Sequence, residues 1–300
     1  MNILDCIGNT PLIKLNNLQG NIYAKLEFLN PTFSKKDRIA KHIIQNAYQN
    51  NLLKKGQEVV EVSSGNTAIA LGVVCIQYGN PLTVFIQSSV SEERIKILRK
   101  LNVNLKIIQD ENTNFNGQLL DTLKEKALKY AKDNKAFYVN QFENPLNIDA
   151  QYLLAKECDD YFKKNNINLT HVCSFAGTGG AFSGLARCFG SCVKKVLIEP
   201  QNASAYKNNE IIMNPHIIQG GGYGKNNLTL INKNDIDDII TVSDKQVNET
   251  LDLLIKKEGI LGSYSSAANI YGALEISKKD PNACILITIC DTYLKYLSFN

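Results

Sequence analysis

Residues 171–181 read His171-Val172-Cys173-Ser174-Phe175-Ala176-Gly177-Thr178-Gly179-Gly180-Ala181. A short run suited to a buried strand passes into three glycines and then into a stretch with helical character. That is the strand–loop–helix unit of a parallel α/β sheet. The glycines free the backbone to wrap an anion such as a phosphate, and Thr178 adds a hydroxyl donor. No Gly-Lys-Ser/Thr follows, so this is not a Walker loop. Phe182 stands where a dinucleotide fingerprint would place its third glycine.

The same alternation extends in both directions. Strands are expected at Ile22–Glu27, Glu58–Val62, Leu82–Ile86, Leu105–Ile108, Lys195–Glu199 and Ala283–Ile289, besides His171–Phe175. Between them the 3.6-residue period marks helices at Asp37–Asn50, Ala68–Tyr78, Glu92–Leu101, Gln118–Asn134, Ala150–Lys164 and Lys245–Lys257. The polar segment Asn140–Asn147, with Pro145 inside it, is the best place for the chain to cross between two α/β units. Two such units leave a cleft at their strand ends, where small-molecule sites usually lie.

Composition narrows the function classes. The 300 residues are 44% hydrophobic, enough for a sizeable core, and the net charge of +4 comes from 33 basic and 29 acidic residues. The basic pairs Lys35-Lys36, Lys54-Lys55 and Lys194-Lys195 are too short to be a nucleic-acid footprint. No apolar run approaches the roughly 20 residues that span a bilayer. Met1–Cys6 lacks the pattern of a signal peptide, so a cytoplasmic location is expected. Eight cysteines form no Cys-x-x-Cys pair and mostly sit in apolar runs such as Val73-Val74-Cys75-Ile76, which reads as reduced, structural thiols. His42, His171 and His216 lack metal-ligand spacing, so no metal site is expected.

Three further segments break an apolar run just before a helix. Asn30-Pro31-Thr32-Phe33-Ser34-Lys35-Lys36-Asp37-Arg38 puts a lysine at a helix start, where the dipole disfavours an ammonium and burial lowers its pKa further. A neutral amine is what attacks an aldehyde, although most lysines at such positions are solvated. Glu61-Val62-Ser63-Ser64-Gly65-Asn66-Thr67-Ala68 offers hydroxyls, an amide and backbone N–H groups to a carboxylate, or simply a helix cap at Asn66 or Thr67. Glu258–Ala268 places Ser263, Ser265 and Ser266 among small residues at a helix start.

In their order and spacing these segments resemble the cysteine synthase and cystathionine β-synthase family of fold-type II pyridoxal-phosphate enzymes. Ile7-Gly8-Asn9-Thr10-Pro11-Leu12 is similar to the family's opening motif. Lys25–Pro31 followed by Ser34–Arg38 resembles its cofactor-lysine segment, and Cys290-Asp291 with Lys295-Tyr296-Leu297 its closing motif. The resemblance runs from Ile7 to Leu297.

It implies two three-layer α/β domains with mostly parallel sheets. The smaller domain would span 38–140, and the larger, cofactor-phosphate domain 1–37 plus 141–300. It implies pyridoxal 5'-phosphate carried on Lys36 rather than Lys35, with the phosphate on Gly177, Thr178, Gly179, Gly180 and Ala181. Ser265 would face the pyridine nitrogen, and Asn66 the ring hydroxyl. The substrate carboxylate would lie on Ser63, Ser64, Gly65, Asn66, Thr67 and Gln141, bordered by Gly220, Gly221 and Tyr223. A homodimer is also implied. Some positions depart from the family pattern: Ala68 replaces a glycine, Ala181 a phosphate-binding threonine, and Gly221 an isoleucine. Gln151–Cys158 replaces a His-x-x-Thr-Thr-Gly-Pro-Glu stretch, and Tyr223 is similar to cystathionine β-synthase.

The expected reaction is β-replacement on a small amino acid, making cysteine from O-acetylserine and sulfide. A neutral serine beside the ring nitrogen suits loss of a β-substituent, whereas a carboxylate would suit transamination. Lys36 is the natural base for the Cα proton. Rival readings are cysteine-consuming release of hydrogen sulfide, cystathionine β-synthase-like action on serine, and an inactive binding paralogue. Retention of Lys36, Asn66, Gln141 and Ser265 together argues against the last.

Overall fold

The computed structural model describes residues 1–63, 65–88, 90–109, 117–212 and 214–298. Two sheets organise the chain. One contains strands β1 (Leu12–Lys14) and β2 (Asn21–Leu26) from the N-terminal segment. After helix α1 (Lys36–Gln49), the chain builds the second sheet from β3 (Val59–Val62), β4 (Leu82–Gln87), β5 (Asn104–Ile108) and β6 (Phe137–Tyr138). Helices α2 (Asn66–Tyr78), α3 (Glu92–Lys100) and α4 (Gly117–Asp133) connect them. After α5 (Leu146–Lys164) the chain returns to the first sheet through β7 (His171–Phe175), α6 (Gly180–Phe189), β8 (Lys194–Pro200), α7 (Ala205–Asn208) and β9 (Asp238–Val242). It ends with α8 (Asp244–Glu258), α9 (Tyr264–Lys279) and β10 (Cys284–Ile289).

The larger sheet has the order β1-β2-β10-β7-β8-β9 and the smaller β5-β4-β3-β6. Every pairing is parallel except β1 with β2, where Leu12 faces Lys25 in an antiparallel register. β3, β4, β7 and β10 are buried along their whole length, which is why they read as continuous apolar runs rather than alternating ones. Helices cover both faces of each sheet. Val247, Leu251, Ala267 and Ile270 of α8 and α9 pack on one face of the larger sheet, while Leu154, Cys158 and Leu185 of α5 and α6 pack on the other. On the smaller sheet, Ile43, Leu71 and Leu98 lie on one face and Leu120, Leu123 and Ala127 on the other. The architecture is thus two three-layer α/β stacks of mostly parallel strands.

Parallel strands all end at the same edge, and that edge makes the site. The loops following β2, β3, β7 and β10 carry, respectively, the 30–38 segment, the Ser63–Thr67 turn, the glycine loop and Cys290-Asp291. The 30–38 loop and the chain end are joined by a bridge between Ser34 and Asp291. The sequence reading omits β1, β6 and β9. β1 and β9 are edge strands with partly exposed side chains, and β6 has only two residues, so none carries a buried apolar run. Among the described residues no helix is long and apolar enough to cross a membrane.

Candidate active site

A cleft of about 950 Å³, part of it open to solvent, lies where these loops meet. Of the residues singled out in the sequence, Lys36, Ser63, Asn66, Thr67, Gln141, Gly177, Thr178, Gly179, Ala181, Gly220, Tyr223 and Ser265 line it. Gly65, Gly180 and Gly221 do not. The space where a side chain would stand is filled by Arg94, by Asn147, and by Phe175 with the Ala176–Gly177 backbone. Gly65 also has φ +148°, which L side chains rarely adopt. Ser64 lies outside the described residues.

Lys36 is the first residue of α1, and its backbone N–H donates to Ser34 Oγ at 3.1 Å. Its two successors anchor it. The buried Asp37 carboxylate accepts from Thr32 through both its backbone N–H and its hydroxyl. The Arg38 guanidinium donates to Glu27 and Glu157 at 2.6–2.9 Å. With Asp37 and Arg38 buried, the helix has one rotational setting, and Lys36 opens into the cleft. Removal from solvent, and after it the neighbouring Lys35 charge, lower the Lys36 amine from 10.5 to about 8. Burial outweighs the opposing pull of Cys290, Glu61 and Asp291.

The turn after β3 is held from inside. Ser63 Oγ accepts from Gly65 N at 3.1 Å and Ala68 N at 3.2 Å, so serine, not Asn66 or Thr67, secures the loop. The N-cap of α2 is Gly65, which has no side chain to cap with; Ser63 takes the Ala68 N–H, and the Asn66 and Thr67 N–H groups are left for a ligand. Thr67 donates to Gln141 Oε1 at 2.6 Å, and Gln141 Nε2 donates to Val62 O at 2.8 Å. The Gln141 backbone N–H reaches Glu61 Oε2 at 3.1 Å. Gln141 therefore ties the start of α5 to the β3 loop.

On the other wall, the N-cap of α6 is Gly179 (φ +93°), which has no side chain to cap with, and the Gly180 N–H donates to Thr178 Oγ1 at 3.4 Å. Asn147 Nδ2 fixes Thr178 Oγ1 at 3.0 Å and leaves that hydroxyl its own proton to donate. Ser265, in the first turn of α9, has its hydroxyl 3.2 Å from Ser263 Oγ. Tyr223 packs edge-on against Phe142, with ring centroids 5.7 Å apart. The donor set fits pyridoxal phosphate. It offers a low-pKa lysine amine, a glycine-capped helix N-terminus behind a glycine loop, one hydroxyl in that loop, and a neutral serine on the same cleft.

Several contributors were not legible beforehand. Arg94 is 2% exposed although its helix, Glu92–Lys100, reads as a charged surface helix. Its guanidinium lies 4.6 Å from the Tyr296 ring centroid and bonds to Gln219. Glu61 is fully buried in β3, and burial pushes its carboxyl up to about 8. The one available signal was a charge inside an apolar strand. Gln151 lines the cleft, and its Nε2 lies 3.5 Å from Lys35 O.

The family model for pyridoxal-phosphate dependent enzymes matches residues 3–291. The cysteine synthase of Buchnera aphidicola is 35% identical over 97% of this chain and 94% of its own length. A hydrogen sulfide-producing enzyme from Fusobacterium nucleatum superposes with a TM-score of 0.89 at 33% identity, covering 99% of both chains. An O-acetylserine sulfhydrylase, isoform 3, from Entamoeba histolytica gives 0.86 at 31% identity over 99% of this chain and 90% of its own. The chain belongs to the pyridoxal-phosphate dependent enzymes, in the fold-type II cysteine synthase group, and its cofactor is pyridoxal 5'-phosphate.

Proposed function

We propose that the chain makes cysteine from O-acetylserine and sulfide by β-replacement. The carrying observation is the convergence on one cleft of a lowered lysine amine, a helix start capped by the glycine loop and a neutral serine. Bound there, the cofactor supplies the electron sink that makes the Cα–H of an attached amino acid acidic. Lys36 holds the cofactor and, when released from it, takes the Cα proton on its amine. Backbone N–H groups of Gly177–Ala181 and the Thr178 hydroxyl hold the phosphate. Ser265 offers the ring nitrogen a partner that carries no charge, which favours departure of the β-substituent. Ser63, Asn66 and Thr67, with the neighbouring Ser64 and Gly65, take the substrate carboxylate, and Gln141 braces Thr67 from behind.

A second reading is cysteine-consuming release of hydrogen sulfide. It is favoured by Tyr223, which lines the cleft beside Phe142. The likeness to the Fusobacterium enzyme supports it too. A panel of O-acetylserine, serine, cysteine and O-phosphoserine, each with and without sulfide, separates the two. O-acetylserine with sulfide should turn over fastest and yield cysteine. Faster sulfide release from cysteine alone would transfer the assignment to the second reading.

Residues 38–140 as a smaller unit, closing on 1–37 with 141–300, complete the proposal. A homodimer is supported by exposed Leu29, Phe33, Leu261, Leu294 and Leu297 on segments stitched by the Ser34–Asp291 and Gly262–Thr292 bridges. A cytoplasmic location is supported by eight free cysteines, five of them buried.

A further inference from the structure

Lys295 belongs to no part of the reaction described so far, yet it is 3% exposed. A buried ammonium is costly unless acceptors surround it. Here Nζ donates to Thr32 O at 2.7 Å and to Asn66 Oδ1 at 2.8 Å. The other arm of the same amide, Asn66 Nδ2, donates to Asp291 Oδ2 at 2.7 Å, and that oxygen also accepts from Tyr296 Oη at 2.7 Å. An ammonium can only donate and a carboxylate can only accept. The two partners therefore dictate which way the Asn66 amide faces, and the reversed amide would oppose donor to donor and acceptor to acceptor. Asn66 lines the cleft, and with its oxygen occupied it has one Nδ2 proton left to present there.

We propose that Lys295 is a positioning residue that locks the Asn66 amide so that a hydrogen-bond donor, not an acceptor, faces the ring oxygen of the bound cofactor. Through Thr32 the same ammonium ties that amide to the segment carrying Lys36, so the two cofactor contacts keep one spacing. Burial holds the Lys295 amine down at about 8, against the pull of Asp291 and Asp37, and Arg94 adds to the lowering. The inference rests on the proposed cofactor site.

The test uses Lys295→Met, Lys295→Arg, Asn66→Ala and the Lys295→Met/Asn66→Ala double variant. The readouts are the dissociation constant of pyridoxal phosphate and the visible absorbance of the lysine-bound cofactor. Lys295→Met should weaken binding by about tenfold and shift the absorbance, because the amide then keeps only its Asp291 bond and can swing out of register with the cofactor. Lys295→Arg, which keeps charge and donors, should restore most of both. The double variant should bind no more weakly than Asn66→Ala alone, since Lys295 acts through that amide. Additive losses in the double variant, or unchanged affinity and spectrum in Lys295→Met, overturn the inference. If Lys295→Met does not fold, Lys295→Gln carries the same comparison. Failure of the underlying site reading looks different: the parent protein would bind no cofactor, or Lys36→Ala would show the same lysine-bound absorbance.

Discussion

Gly180→Ala sets two effects of opposite sign against each other. Gly180 opens α6 with ordinary helical backbone, so helix propensity alone favours alanine by about 0.4–1 kcal/mol. Packing opposes it. A Cβ there would sit 2.5 Å from Asn147 Cγ and closer still to its Oδ1. Asn147 is fully buried, and its Nδ2 holds Gln141 O at 2.8 Å and Thr178 Oγ1 at 3.0 Å, so the amide cannot yield without breaking one or both bonds. Overpacking costs about 1–3 kcal/mol. Each lost hydrogen bond adds about 0.5–1.5 kcal/mol. With mid-range values and one or both bonds lost, the net loss after the propensity gain should be about 2–3 kcal/mol. Because Thr178 is one of the displaced partners, pyridoxal-phosphate affinity should also fall, by about tenfold. Urea unfolding of the cofactor-free protein gives the first quantity, and equilibrium dialysis against pyridoxal phosphate the second. Gly259→Asn serves as control: its Cβ meets nothing within 4 Å, its φ is +68°, and it should cost no more than about 1 kcal/mol. A Gly180→Ala protein as stable as its parent, with unchanged affinity, would refute the packing argument.

Lys36→Ala should abolish the lysine-bound absorbance of the cofactor while Lys35→Ala leaves it nearly intact; the reverse result would show that Asp37 and Arg38 do not set the register. Capture of pyridoxal phosphate by the cofactor-free protein needs the neutral amine. Its rate should therefore rise with pH through about 8 and level off above, and a rise continuing to the ordinary lysine value would mean that the amine is not lowered by burial. Ser265→Asp should retain cofactor but slow β-replacement by about tenfold or more, since a carboxylate raises the pKa of a neighbouring ring nitrogen. Ser265→Ala should be milder, at about 0.5–1.5 kcal/mol for one neutral hydrogen bond. Single-turnover rates with O-acetylserine decide it, and an aspartate variant as fast as serine beside a dead alanine variant would sink the nitrogen argument.

Fold class was legible because burial on both faces leaves a plain trace: β7 and β10 are buried end to end and mostly apolar, and each is followed or preceded by glycine, proline or small residues. The site loops were legible because their chemistry is local, as in Gly177–Ala181. What the sequence could not show was the destination of charged side chains. The periodicity of Glu92–Lys100 leaves Arg94 looking like its exposed neighbours Lys96 and Lys100, and only the turn at Gly65 makes room for it behind the cleft wall. Lys295 likewise sits among tyrosines in a segment too short to carry a period. The role of Ser63 as the staple of its own turn depends on two backbone N–H directions that no residue pattern encodes.

The placement of charge suggests why the phosphate end is built from backbone. Two of the cations near the cleft are already committed: Arg94 to Gln219 and the Tyr296 ring, Lys295 to Thr32 and Asn66. The proposed phosphate loop, Gly177–Ala181, instead offers backbone donors, with Thr178 and Asn147 as neutral partners. A guanidinium there would bind phosphate more strongly, but bidentate pairing would fix the anion in one orientation. Helix N–H groups hold the same charge through several weaker contacts. In the proposed site, a cradle of backbone donors would hold the phosphate without fixing one orientation, and Ala181 has no hydroxyl to add a further contact.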